Sequence, residues 1–189
     1  MTQANGIEMD TTGLRCRFGS VSFICALLLL LVSLTALQPV CAEKLEIGRK
    51  IEVRAGSVID GDSIMVKKDN QDIEVRLFGI DAPEFDQPGS KAARQHLAAL
   101  VAGRALLMEV IDHDVYGRTV ALVSTGAGSV NEEQVRTGQA WVHPRYCRIP
   151  ICDRWRAQQQ QACSRKVGLW RQQRPVPPWR WKAQKATHR

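Results

Sequence analysis

Ile73-Glu-Val-Arg-Leu-Phe-Gly-Ile-Asp-Ala-Pro-Glu84 is the stretch on which the reading of this chain turns. Ile73, Val75 and Leu77 alternate with Glu74, Arg76 and Phe78, the period of two that marks a strand. Alternation puts Arg76 on the face opposite the apolar side chains, so it points away from the interior, towards a surface or groove. Pro83 stops any continuation and leaves Asp81 to Pro88 as a loop. One strand and the loop behind it therefore present a guanidinium and two carboxylates, Asp81 and Glu84.

Two flanking segments carry the same residue types. Asp60-Gly-Asp-Ser63 lies between apolar runs, a hairpin signal joining strands at 47–54 and 64–68. Asp114-Val-Tyr-Gly-Arg118 turns a strand at Leu106–Asp112 into another at Thr119–Ser124. Apolar positions 93, 97, 100 and 101 predict a helix over 90–102 closed by Gly103. Asn131 with Gln134 predicts a capped short helix ending at Gly138. Asp153 is placed to cap a longer one running to Lys166 and closed by Gly168. Pro175 to Trp181 has no period and reads as extended. Five short strands with about three helices describe a small barrel with helices packed on it, mainly β within the α+β class.

Asp62, Asp81 and Glu84 thus stand within about sixty residues of Arg76 and Arg118. Converging carboxylates favour a hard divalent cation, and guanidinium forks favour a phosphate. A cation and two arginines at one site are the means of stabilising a phosphodiester while it is cut. Each motif alone is ordinary: Asp60-Gly-Asp62 is a turn, Tyr116-Gly-Arg118 a hairpin, and Arg76 a strand residue able to pair with Glu74. Their joint occurrence carries the argument. An EF-hand is excluded, because the later oxygen ligands and the closing glutamate are missing. The four histidines show no ligand spacing and read as structural or exposed.

The chain carries a net charge of +7, unevenly spread. Glu43 to Pro144 holds 12 basic against 16 acidic residues, and Arg145 to Arg189 holds 12 against 1. An acidic body beside a cationic tail suits a metal site next to a polyanion-binding surface. A tail that only solubilises or touches anionic lipid has the same charge. The tryptophans at 155 and 170 read as packing residues; those at 179 and 181 stay open between packing and stacking on bases.

Arg15 and Arg17 precede an uncharged run from Phe18 to Ala42 with Leu28-Leu-Leu-Leu31 at its centre, the pattern of an export signal. Val40-Cys-Ala42 satisfies the small-x-small rule, with cleavage after Ala42. Residues 18–40 would also span a bilayer if left uncut. Cleavage ranks ahead of anchoring, because Pro39 breaks the helix just before the cut. The expected division is a signal peptide or membrane anchor at 1–42, a compact domain at 43–174 and an extended basic tail at 175–189. The exported part would be secreted or periplasmic, or tethered by its first segment. In that oxidising setting a Cys147–Cys152 disulfide is a better reading than zinc, since no Cys-x-x-Cys pair or His cluster exists. Cys163 is left over, buried in a helix or free.

Val58-Ile-Asp-Gly-Asp-Ser63, Val75-Arg-Leu-Phe-Gly-Ile-Asp-Ala-Pro-Glu84 and Asp114-Val-Tyr-Gly-Arg-Thr-Val-Ala121 together resemble the staphylococcal nuclease-like, or thermonuclease, family. Asn131, Gly138-Gln-Ala-Trp141, Gly168-Leu-Trp170 and Pro178-Trp-Arg-Trp181 extend the resemblance over about Ile51 to Trp181. It implies an OB-fold five-stranded barrel with about three helices, and a monomeric calcium-dependent phosphodiesterase acting on DNA and RNA. By resemblance, Asp62 and Asp81 are calcium carboxylates and Ala82 lends its backbone carbonyl. Glu84 orients or deprotonates the attacking water. Arg76 and Arg118 grip the scissile phosphate, Tyr116 places its neighbour, and the products are 3′-phosphorylated. Ser63, Ala82 and Val115 depart from the archetype's threonines and lysine. Its pair of base-stacking tyrosines is not clearly matched after Trp141, although Tyr146 is a candidate for one. These departures leave DNA against RNA and end against interior open. The competing class is a catalytically silent nucleic-acid-binding barrel, which should have lost some of the five charged residues; none is missing.

Overall fold

The computed structural model describes residues 44–187. The expected signal or anchor segment lies outside the described residues. Among those described, no helix is long and apolar enough to cross a membrane.

Five strands form the frame: β1 (Lys50–Val58), β2 (Ser63–Lys68), β3 (Gln71–Leu77), β5 (Ala105–His113) and β6 (Thr119–Thr125). Antiparallel pairing runs in the order β3-β2-β1-β5-β6. A parallel β3–β6 contact, with Val75 opposite Thr119 and Leu77 opposite Ala121, closes the barrel. Closure removes the sheet edges and leaves alternate residues inside. Ile51, Val53, Ile64, Val66, Val75, Leu77, Leu106, Met108, Val110, Ala121 and Val123 fill that interior. The first strand begins and ends three or four residues later than the sequence pattern predicted, because pairing with β2 and β5 decides its span. Two-residue strands β4 (Ile80–Asp81) and β8 (Trp141–Val142) pair with each other, and β7 (Gly128–Ser129) pairs antiparallel with the end of β6.

Among the described residues, four α-helices pack outside: α1 (Ser90–Val101), α2 (Val130–Arg136), α3 (Ile151–Ser164) and α4 (Pro178–Thr187). Ser129, not Asn131, caps α2, accepting from the Glu132 N–H at 3.2 Å. Asn131 is instead fully buried, accepting from the Val123 N–H and donating to the carbonyls of Phe78 and Ala121. It thereby partners three backbone groups where β3, β6 and α2 meet, in addition to the Phe78 N–H bond that the Ala121 carbonyl already accepts. Asp153 does not cap α3, which begins at Ile151 after Pro150. Trp155 is buried under α3, and Trp170 meets Trp141 edge-on at 5.3 Å, both as packing residues.

The tail is the main correction. Residues 178–187 are helical, not extended. Pro178 stands at the first helical position, where its missing N–H costs nothing and its fixed φ fits the helix. Lys182-Ala-Gln-Lys-Ala186 then adds good helix formers. The expected Cys147–Cys152 disulfide is present, with Cα atoms 5.6 Å apart, and Cys163 is free and exposed on α3.

Candidate active site

At one mouth of the barrel, three chain segments deliver charged groups to the same place. The loop between β1 and β2 brings Asp62, which is buried. Its N–H is held by the Asp60 carboxylate at 2.9 Å, and the Leu77 N–H donates to its carbonyl, extending the β2–β3 ladder by one step. Gly61 is required here: a Cβ on it would lie 2.6 Å from the Ala82 side chain and 2.7 Å from that of Ala93. The loop can therefore press against the β4 segment, and the Ala82 N–H donates to Asp62 at 2.5 Å.

Arg76 stands across β2–β3 from Ser63 and reaches both aspartates. One guanidinium nitrogen pairs with Asp62 and the other with Asp81, the latter at 2.5 Å. Val75 and Leu77 are buried while Arg76 between them is only partly so, as the period of two predicts. Both carboxylates are almost wholly buried, at 2% and 4% side-chain exposure, so two negative charges meet one positive in a poorly solvated place. Such a pair retains an electrostatic demand for further positive charge.

Arg118 enters from the turn between β5 and β6, on the strand hydrogen-bonded to β3. It pairs with Asp114 at 2.7 Å and approaches Glu74 at 3.8 Å. Glu74 and Arg76 share a face of β3, about 7 Å apart along the strand. The two guanidiniums are thus neighbours on one surface. Partial burial works against the charge on Asp114. The Arg118 guanidinium and the N–H groups of Arg118 and Tyr116 outweigh it, holding that carboxyl below its ordinary value. Tyr116 is exposed, with the Arg118 guanidinium over its ring.

Glu84 follows Asp81 by three residues, and its Oε1 pairs with Lys182 of α4 at 2.8 Å. Among the described residues, no three acidic, histidine or cysteine side chains are arranged to hold a metal. Asp62, Arg76, Asp81 and Ala82 are therefore brought into contact. Arg118 stands on the adjoining strand, and Glu84 lies at the loop beyond.

Several supports escaped the sequence reading. Gln134 is fully buried and donates to the carbonyls of Gly61 at 2.6 Å and Ala93 at 3.3 Å, fixing the Asp60–Asp62 loop. His143 follows β8, and its N–H donates to the carbonyl of Gly79, which precedes β4 and its Asp81. Burial pushes its imidazole below the ordinary value; Asp81 opposes this, and Arg76, Lys182 and Arg145 add to it. Its ring lies 4.5 Å from Tyr146 and 5.0 Å from Trp179. A lone histidine between apolar residues gives no local signal, because Arg76, Asp81, Trp179 and Lys182 reach it only through the fold.

A closed five-stranded barrel with buried aspartates and guanidiniums at its mouth is the class of protein that fold and site define together. The sequence profile of the staphylococcal nuclease homologue family matches residues 74–172. A relative named an uncharacterized endonuclease, from Escherichia coli O157:H7, is 36% identical over 136 residues, covering 71% of this chain and 87% of its own length. Another of that name from Haemophilus influenzae is 33% identical over 132 residues, covering 69% and 72%. A probable staphylococcal-like nuclease from Oryza sativa subsp. japonica is 36% identical over 125 residues, covering 66% of this chain and 36% of the plant protein. The chain belongs to the staphylococcal nuclease homologue family, and these likenesses support a nuclease function.

Proposed function

We infer that the protein is an exported calcium-dependent nuclease that hydrolyses phosphodiester bonds in DNA, RNA or both and leaves 3′-phosphorylated products. The observation that carries this is Arg76 spanning Asp62 and Asp81, with Arg118 beside it on the adjoining strand. The donor set around the two aspartates is all oxygen and underneutralised, which fits a hard divalent cation. Asp62, Asp81 and the Ala82 carbonyl would hold it. Bound there, calcium would supply positive charge beside the phosphodiester.

Arg76 and Arg118 present their N–H forks to the non-bridging oxygens, where negative charge grows in the transition state. Glu84 takes a proton from the attacking water. The water oxygen bonds to phosphorus, the bond to the 5′-oxygen breaks, and that oxygen leaves with a proton from solvent. The cationic stretch from Arg145 onwards draws in the polyanion and makes binding salt-sensitive. Cleavage after Ala42 would release the domain outside the cytoplasm, a reading supported by the Cys147–Cys152 disulfide.

Incubation of protein beginning at Glu43 with single-stranded and duplex DNA and RNA tests the assignment. Cutting with calcium and none with chelator is expected. A well-folded protein that binds but does not cut would be the silent barrel, and cutting indifferent to chelator would remove calcium. Terminal sequencing of the cellular protein should find Glu43 first; an intact start would make residues 18–40 an anchor.

A further inference from the structure

Glu84 is joined to a part of the chain nearly a hundred residues away. The α4 helix lies along the Asp81–Pro88 loop and ties to it repeatedly. Lys182 pairs with Glu84 at 2.8 Å, Lys185 pairs with Asp86, and Trp181 Nε1 donates to Asp86 at 3.2 Å. Just ahead of the helix, the Val176 carbonyl accepts from Gln87 Nε2 at 2.6 Å. Every one of these bonds falls on the loop between Pro83 and Pro88. Within the loop the backbone of Glu84 is held by Gln87, its N–H donating to Gln87 Oε1 at 3.1 Å and its carbonyl accepting from the Gln87 N–H at 2.8 Å, and Gln172 Nε2 donates to the Pro88 carbonyl at 3.3 Å. Those bonds fix the backbone; Lys182 is the partner of the Glu84 carboxylate.

We propose that α4 belongs to the active site, with Lys182 as the positioning residue of Glu84. Lys182 engages one carboxylate oxygen, Oε1. That leaves Oε2 to accept from the attacking water while rotation of the carboxylate is restrained. The pair is half-exposed, with side-chain exposures of 58% and 32%, so it adds little to global stability. Its value is geometric. A base on a proline-bounded loop must be held within a fraction of an ångström of its water, and ångström-scale misplacement costs up to about 10²-fold in rate. The inference rests on the role of Glu84 given above.

The test is steady-state kinetics on the full chain with single-stranded DNA and calcium. Lys182→Ala should lower kcat about tenfold with KM within about twofold, and Lys182→Arg should recover most of the loss. Lys67→Ala removes one positive charge at the far end of β2, where it pairs with Asp72, and should leave kcat unchanged. In a Glu84→Gln background Lys182→Ala should have no further effect, because it acts through the carboxylate. Thermal melts of Lys182→Ala should match the parent, which separates positioning from loss of fold. A raised KM with kcat intact would make Lys182 a substrate contact, and a raised kcat would make it an inhibitor; either overturns the proposal. So does an unchanged kcat in Lys182→Ala when Glu84→Gln is crippled. Full activity in Glu84→Gln would instead remove the base assignment itself.

Discussion

Arg76 and Arg118 are the same residue type put to neighbouring tasks, yet they are held in opposite ways. Arg118 is anchored by its own turn: Asp114, four residues earlier, receives its side chain and two backbone N–H groups. Arg76 is anchored by Asp62 and Asp81, which arrive from separate segments and are almost fully buried. One cluster is a local motif that any hairpin could carry. The other exists only when the barrel is closed and β4 is seated. The contrast shows how one active site can combine a replaceable part with a part that the core depends on.

The largest expected effect separates the two arginines by what else they do. Alanine at either position should cut the rate by about 10²-fold or more, the usual loss for an electrostatic contact to the transition state. Stability should divide them. Arg76→Ala strands two buried carboxylates and should cost about 3–5 kcal/mol in denaturant unfolding. Arg118→Ala, partly exposed, should cost about 1 kcal/mol or less. Calcium should then stabilise Arg76→Ala more than the parent. Equal melting of the two variants would break the comparison.

A middle-sized effect concerns the glycines behind each cluster. Gly79 and Gly117 both have positive φ, at +72° and +84°. A Cβ at Gly79 would lie 2.7 Å from Cys147 Sγ and 3.2 Å from the Trp155 ring, whereas Gly117 faces open space. Gly117→Ala should therefore cost only the left-handed backbone penalty, about 1–2 kcal/mol. Gly79→Ala adds overpacking of about 1–3 kcal/mol and should shift β4, loosening Asp81. Chemical denaturation of both variants reads the difference, and equal costs would show that the disulfide region yields freely.

The smallest effect is the acid limb of Asp114. Its carboxyl titrates below the ordinary 3.8 in the fold, so its contribution is complete above that value. The contribution is lost as pH falls through the lowered value. Asp114→Asn should cost about 1 kcal/mol at neutral pH and flatten stability loss below about pH 3.8. An unchanged acid limb would mean that the turn does not hold Arg118 through charge.

The sequence alone determined what short-range rules control. Period-two alternation set Arg76 apart from Val75 and Leu77, Asp60-Gly61 marked the first hairpin, and Tyr116-Gly-Arg118 marked the turn that presents Arg118. Identity of the family was also legible, because its motifs are contiguous runs that survive without knowledge of the fold. Only the tertiary structure decided which acids meet Arg76, that Asn131 is a buried knot rather than a cap, and that Gln134 pins the Gly61 loop. It also turned an aperiodic tail into a helix lying over Glu84. The separations run from 5 residues between Arg76 and Asp81 to 73 between Gln134 and Gly61, and further still to Lys182 and Glu84, and the deciding quantities are burial and the pairing of charge in a poorly solvated place. Neither leaves a mark on local spacing.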